Sequence, residues 1–351
     1  MTKKLRCFCS YLASAVFMAV IVHPPEAQAQ LLRSTSKVGT TAGQFLKIGI
    51  GARANAMGNA QVAMMGDISS IYYNPGALSR LQVNSELSFH HANWLADIDF
   101  DFIGGVLPLG DIGTLGLSII SLRVPEDIVR TVEFPEGDGR RWDASSLAIG
   151  ISYARSLTDR FSIGFSFKYV QENIWSENAR GFAFDVGTLY ISEIPGLVLG
   201  ASISNFGSRM RLDGRDLFFN YDPDNDPGSG PNNVPSQVRT GDFDLPLTFR
   251  IGIALDVVRM ENLRVTTALD AAHPNDNTEY LNSGVELSWR EILFARAGYK
   301  SLLLRDSEQG LTWGVGFHYG IVNSATIKLD YGFADFGRLQ NVQYFTFGIR
   351  L

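Results

Sequence analysis

Several groups of residues in this chain are of types that can do chemistry. Asp222-Pro223-Asp224-Asn225-Asp226 has the alternating carboxylates of a calcium loop. An EF-hand also needs Gly at the sixth position and a bidentate Glu at the twelfth. Pro227 and Asn233 stand there instead, so the run reads as an acidic, Pro/Gly-rich exposed loop. His90 and His91 are adjacent, and neighbours on a strand point to opposite faces, so they cannot share one metal. Gly49-Ile50-Gly51-Ala52-Arg53-Ala54 matches a Gly-x-Gly-x-x-Ala dinucleotide fingerprint. That motif works only inside a βαβ unit, and β-type sequence follows here, so these glycines read as sites of close backbone packing. The chain has no Gly-x-Ser-x-Gly elbow. The expectation is a protein without catalytic residues, metal or cofactor.

What remains is Arg53 and Asp67, opposite charges in a Gly-, Ala- and Met-rich stretch, residues 39–81. Buried charges need partners. Charges on later segments, such as Arg250 or Asp256, are candidates, and fastening the stretch is favoured over touching a ligand. The Ala spacing allows short helices near Ala52–Met57 and Ile68–Tyr72, and Tyr73-Asn74-Pro75-Gly76 marks a turn.

The elements that would hold this stretch are β-type. From Asn84 onward the pattern has period two: Phe161, Ile163, Phe165, Phe167 and Tyr169 alternate with Ser162, Gly164, Ser166 and Lys168. The last segment alternates in the same way through Phe345, Phe347, Ile349 and Leu351. About fourteen such segments of ~10 residues begin near Glu86, Asp99, Gly113, Ser145, Arg160, Gly181, Gly196, Leu245, Leu263, Tyr280, Ile292, Leu311, Ser324 and Gln343. Connections after even segments are tight (110–112, 158–159, 193–195, 259–262, 290–291, 321–323). Several after odd segments are long (123–142, 207–244, 302–309, 334–339). Short turns on one side and long loops on the other are the signature of a membrane barrel with periplasmic termini, and a soluble sandwich has no reason to segregate its loops. The expected fold is all-β, a roughly 14-stranded antiparallel transmembrane barrel around an N-terminal plug segment with short helices.

The ends and the charge agree. Lys3, Lys4 and Arg6 precede a mostly apolar run over residues 7–22, and Ala27-Gln28-Ala29 offers a small-x-small cleavage site. The domains expected are a signal peptide at 1–29, the plug at 30–83 and the barrel at 84–351. Both cysteines, Cys7 and Cys9, leave with the signal. Removal of 1–29 takes three of the 30 Lys+Arg and one of the 36 Asp+Glu, which leaves a net charge of −8 and no footprint for nucleic acid.

Phe45, Leu46, Gly49, Gly51, Ala52, Arg53, Met57 and Gly58, then Asp67, then Asn74-Pro75-Gly76, together resemble the N-terminal signature of the PorV/PorQ family. Those proteins are outer-membrane β-barrels related in fold to the FadL fatty-acid transporters. The resemblance spans the whole chain in layout but only this segment in motif, and Asn-Pro-Gly stands where the wider group usually has Asn-Pro-Ala. It implies a plug inside the barrel or at its periplasmic mouth, in the outer membrane of a Gram-negative bacterium. It further implies a place beside type IX secretion, binding secreted cargo or secretion subunits through the long loops 207–244 and 123–142. Expected partners also include outer-membrane lipids and the barrel-assembly machinery, which would read the C-terminal strand. That strand ends on Leu351 rather than on the usual aromatic residue. The alternative is a FadL-like channel for hydrophobic small molecules, with an apolar lumen, a plug that shifts and a kinked strand. The charged polar face of the strands counts against it.

Overall fold

The structure is a computed structural model that describes residues 37–223, 233–304, 307–321 and 325–351. The expected signal peptide and most of the acidic run after Asp222 lie outside the described residues. Fourteen long strands form the wall. The first seven are β1 (Glu86–Trp94), β2 (Ile98–Pro108), β3 (Thr114–Ile128), β4 (Arg141–Ser156), β5 (Phe161–Ile174), β6 (Glu177–Ile191) and β7 (Leu197–Gly207). The other seven are β8 (Thr248–Arg259), β9 (Leu263–Pro274), β10 (Tyr280–Trp289), β11 (Leu293–Leu302), β12 (Leu311–Gly320), β13 (Thr326–Asp335) and β14 (Asn341–Arg350). Each pairs antiparallel with its neighbours in sequence. β14 returns to β1, from Glu86 opposite Arg350 to Asn93 opposite Gln343, and closes the barrel.

The alternation sets which side faces out. Leu115, Leu117 and Ile119 on β3 and Phe345, Phe347 and Ile349 on β14 are exposed on the outer wall. Lys168, Asp185, Arg250, Asp270, Glu286 and Arg296 are buried in the lumen. An apolar exterior with charges inside is the reverse of a soluble protein and the arrangement a bilayer requires. Outward rings also stack across strands, as Phe167 does with Phe182 at 5.6 Å and Trp313 with Phe333 at 5.5 Å.

Connections sort by side as the sequence predicts. Strands β2, β4, β6, β8, β10 and β12 end in connections of at most five residues. The opposite mouth carries 129–140 and the long segment 208–247. Within that long segment Phe218–Tyr221 pairs with Val234–Gln237 and Met210–Arg211 with Asp242–Phe243. Pairing shifts register at four places. The shift between β6 and β7 leaves Asn205 at φ 62°, with its amide donating to Asp185 Oδ1 at 2.8 Å.

Residues 43–81 fill the lumen. Helix α1 (Ala52–Ala56) is a single turn, too short to persist alone. The wall stabilises it. Thr346 Oγ1 accepts from the Ala52 amide at 2.9 Å, and Thr312 Oγ1 donates to the Ala56 carbonyl at 3.0 Å. Helix α2 (Ser70–Tyr73) leads into the 3-10 turn Pro75–Arg80. The wall makes room with lumen-facing glycines. A Cβ at Gly298 would lie 2.3 Å from the Gly58 nitrogen, one at Gly200 2.3 Å from the Val62 oxygen, and one at Gly164 2.4 Å from the Pro75 carbonyl carbon. Real Cβ atoms do not approach that closely, so plug backbone and barrel backbone are in direct contact.

The plug lies inside the barrel, one of the two places the resemblance implies, and runs from one mouth to the other. Its start is tied to the loop-bearing mouth, where the Ala42 amide donates to the Asp244 carbonyl at 2.9 Å. Its end reaches the turn-bearing mouth, where Arg80 donates to the Thr158 and Asp159 carbonyls at 2.8 and 2.9 Å.

Candidate functional site

The motif residues do not converge on one point but mark successive contacts along the plug. Phe45 and Leu46 lie in the 3-10 turn Gln44–Lys47 and are buried in the loop-side half of the lumen, where the Tyr72 hydroxyl donates to the Leu46 carbonyl at 2.9 Å. Gly49 and Gly51 both accept from the Asn55 amide group at 2.9 Å, which ties α1 to the chain before it. Gly51 (φ 85°) and Gly58 (φ 63°) occupy the left-handed region, and a Cβ on Gly58 would meet the Tyr299 carbonyl at 2.6 Å. Met57 packs between Gly284 and Gly298. Asn74 is fully buried. Its Nδ2 donates to the Val62 carbonyl at 2.7 Å and the Thr188 carbonyl at 2.9 Å, and its Oδ1 accepts from the Gly76 amide. Pro75 packs against Gly187 and Gly164.

Arg53 and Asp67 are brought together with charges of the wall. Arg53 makes a two-pronged contact with Glu286, both bonds at 2.8 Å, and donates to the Met65 carbonyl at 3.1 Å. Glu286 also accepts from Arg296 Nε at 2.8 Å, and Arg296 Nη1 reaches Asp330 at 2.5 Å. Asp67 takes Lys328 Nζ at 3.0 Å and the Ser69 amide at 2.9 Å. Lys328 continues to Glu86 at 2.8 Å, and Glu86 to Arg350 at 2.9 Å. Each charge has a partner of opposite sign, so the network has the make-up of a fastening rather than of a vacant binding site.

The partners differ from those the sequence suggested. Arg250 bonds Ser204 at 3.3 Å and lies over the Tyr72 ring, while Asp256 bonds Thr266 at 2.7 Å near the turn-bearing mouth. Neither reaches Arg53 or Asp67. Glu286 and Lys328 were legible as lumen-facing by strand parity, but pairing them with the plug needs the register. Asp276 carried no sequence signal. Its carboxylate accepts from Thr41, Gln44 and Lys47 at 3.1, 3.1 and 2.7 Å and clasps the plug at the loop-bearing mouth.

The lumen is also less uniformly charged than the strand pattern implies. Its loop-side half holds an apolar cluster that includes Phe100, Phe102, Ile120 and Val342 with Phe45, Leu46 and Ile48, beside the buried Lys300. His90 and His91 do point apart. His90 bonds Thr346 in the lumen at 2.6 Å, and His91 bonds Asp101 at the wall's outer side at 2.8 Å. Among the described residues no three His, Cys, Asp or Glu side chains group as a metal site would need.

A closed, apolar-walled barrel with a backbone-packed, ion-paired plug is the architecture of a plugged outer-membrane β-barrel. The family model for "Type IX secretion system protein PorV" matches residues 32–270. The chain belongs to the PorV family. No curated protein matches it. Among solved structures it is similar in fold to the CymD monoaromatic hydrocarbon channel, at 13% identity, TM-score 0.53, and coverage of 86% of this chain and 96% of that one. The toluene transporter TodX of P. putida matches at 14% identity and TM-score 0.53, over 86% and 96% of the two chains. A Pseudomonas aeruginosa FadL homologue matches at 11% identity and TM-score 0.54, over 85% and 97%. At these identities the likeness is one of fold.

Proposed function

We propose that this protein is a non-catalytic docking barrel of type IX secretion, binding secreted cargo or secretion subunits at its loop-bearing mouth, with its signal peptide removed after Ala29. The observation that carries this reading is the close packing of the plug against the wall. Backbone-to-backbone packing at Gly164, Gly200 and Gly298 opposes sliding of the plug, and buried ion pairs tie it to β10 and β13. In this reading the motif residues Phe45, Leu46, Gly49, Gly51, Arg53, Met57, Gly58, Asp67, Asn74 and Pro75 fasten the plug, and binding falls to the loops. Phe218, Phe219 and Tyr221 support that assignment. They lie on one short strand of the 208–247 connection and are all exposed, at 61%, 47% and 51%. Successive residues on a strand face opposite ways, so aromatic surface is offered on both sides of this hairpin. Exposed apolar clusters of this kind mark interaction sites.

The experiment is a variant with Phe218, Phe219 and Tyr221 all changed to Ser, positions outside the fourteen wall strands and the plug. Retention of type IX cargo inside the cells, with the barrel still inserted in the outer membrane, supports the proposal. Normal cargo display refutes the loop assignment. The second reading, uptake of a hydrophobic solute, is favoured by the apolar cluster in the loop-side half of the lumen. It requires the plug to move.

A further inference from the structure

Two buried cations in the loop-side half of the lumen stand outside the ion-pair network. Lys300 on β11 is 7% exposed and Arg250 on β8 is 8% exposed. Neither has a carboxylate partner among the described residues. The Lys300 ammonium has only the Phe336 ring, 5.6 Å from its centre. Arg250 commits Nη1 to Ser204 Oγ at 3.3 Å and lies 5.9 Å from the centre of the Tyr72 ring. The two cations are near enough for their charges to repel. The acids of this region are engaged elsewhere. Asp185 is held by Lys168 at 2.8 Å, Asp276 by Lys47 at 2.7 Å, and Glu172 accepts from the Gly43 amide at 3.1 Å. Asp270, opposite Gly252 on the adjacent strand, accepts from the Gln61 and Val62 amides at 2.7 and 2.9 Å. A third donor stands beside the cations. Tyr344 on β14 is 3% exposed in the same cluster as Tyr72 and Phe336, and its hydroxyl has no hydrogen-bond partner among the described residues.

A buried cation without a counter-charge is strongly unfavourable, and here two of them face an unused hydroxyl. We propose that Arg250, Lys300 and Tyr344 form an anion site in the loop-side half of the lumen, and that its ligand is a carboxylate. The guanidinium fork matches a planar carboxylate, while the ammonium and the phenol each add a donor. The set offers donors and two positive charges, so it rejects metal cations and amines. Its surroundings are largely aromatic and apolar, where charge is poorly screened and a bound anion gains more than it would at the surface. Tyr280, the first residue of β10, lies near Arg250 and is partly exposed, so the site faces the loop-bearing mouth. The carboxylate belongs either to a small free acid or to an amphiphile whose apolar body meets the cluster around Phe45 and Leu46. The inference rests on lumen side chains alone and not on what the loops bind.

The test is a gel-shift thermal melt of the purified barrel in detergent at constant ionic strength. Sodium acetate and sodium octanoate are titrated separately, with octan-1-ol as the uncharged control, into wild type, Lys300→Met and Tyr344→Phe. The expected result is a midpoint that rises and saturates with a carboxylate, as a ligand of the folded state requires. The half-saturating concentration should rise about tenfold or more in Lys300→Met and roughly two- to tenfold in Tyr344→Phe. Without ligand, Lys300→Met should melt no lower than wild type, because it removes an uncompensated charge; a lysine that only braces the fold would give a lower midpoint. Octanoate saturating far below acetate assigns the site to an amphiphile, and equal values assign it to a free acid; either supports a carboxylate site. No saturable rise with either acid, the same rise in all three proteins, or a rise from octan-1-ol matching that from octanoate overturns it. Should Lys300→Met fail to fold, Tyr344→Phe decides alone, and a half-saturating concentration equal to wild type overturns the proposal. Its failure leaves the docking reading standing, since that reading is tested at Phe218, Phe219 and Tyr221.

Discussion

Replacing Glu286 by Ala removes the one acid that Arg53 and Arg296 share. Glu286 is almost fully buried and accepts three hydrogen bonds at 2.8 Å, two from Arg53 and one from Arg296. Arg296 keeps Asp330, but Arg53 is left with only the Met65 carbonyl. Stranding a buried guanidinium costs about 3–5 kcal/mol, a factor of roughly 10²–10³ or more in the folding equilibrium. The plug is held by more than that. Leu46, Ile50, Met57, Ile68 and Leu78 are all fully buried, and each contributes on the order of 1.5–3 kcal/mol. The expected outcome is a Glu286→Ala barrel that unfolds at lower temperature or denaturant yet stays shut. The assay pairs a gel-shift thermal melt with single-channel recording in planar bilayers. An Arg53→Met/Glu286→Gln double variant should lose less than the sum of its singles, because the two groups are coupled. A steady open conductance from Glu286→Ala alone, with the thermal midpoint unchanged, would refute the reasoning and make the ion network a gate.

Further outcomes follow from the same packing. Gly298→Ala should cost about 1–3 kcal/mol or block assembly, since its Cβ meets Gly58 backbone. Gly105→Ala on the outer wall, with nothing nearer than 3.7 Å, should leave the melting midpoint unchanged. Asn74→Ala should lower stability by roughly 2–4 kcal/mol in denaturant titration, because it leaves three buried backbone groups short of a partner. The pH dependence follows from Asp276, in the connection between β9 and β10. Burial opposes the charge on Asp276, but Lys47 and Gln44 outweigh it and depress its carboxyl. A depressed carboxylate contributes stability that is complete above its unfolded value near ~4 and is lost as pH falls through the folded value. This group should therefore leave the melting midpoint flat from about pH 5 to 8 and lower it only below pH ~4. Asp276→Asn should remove part of that acid-side fall.

Most of the wall was legible because a barrel strand needs only period two and a turn. Predicted starts at Glu86, Leu263, Tyr280 and Leu311 coincide with the observed strands. The largest miss, four residues at Ser145 and Gly181, falls where β4 and β6 extend beyond the apolar band into polar sequence. There alternation carries no hydropathy contrast, so the extension was invisible. The strand glycines were visible, but their use was not. Gly164, Gly200, Gly298 and Gly314 face the lumen and admit the plug. Arg53 and Asp67 stood out as charges in an apolar segment, yet their partners lie more than two hundred residues away and depend on register. The direction of the plug has no local signature, because it is set by contacts with Glu172, Asp244 and Asp276.

The central claim, a plugged barrel that works by docking, is tested most directly by what leaves the membrane with it. Tagged protein is extracted from outer membranes in mild detergent, and bound proteins and small molecules are both identified by mass spectrometry. The account predicts secretion subunits or secreted proteins sharing a C-terminal domain, lost when Phe218, Phe219 and Tyr221 are changed to Ser. A barrel that comes out alone, with a stoichiometric lipid or hydrocarbon in its lumen, would contradict it and favour transport.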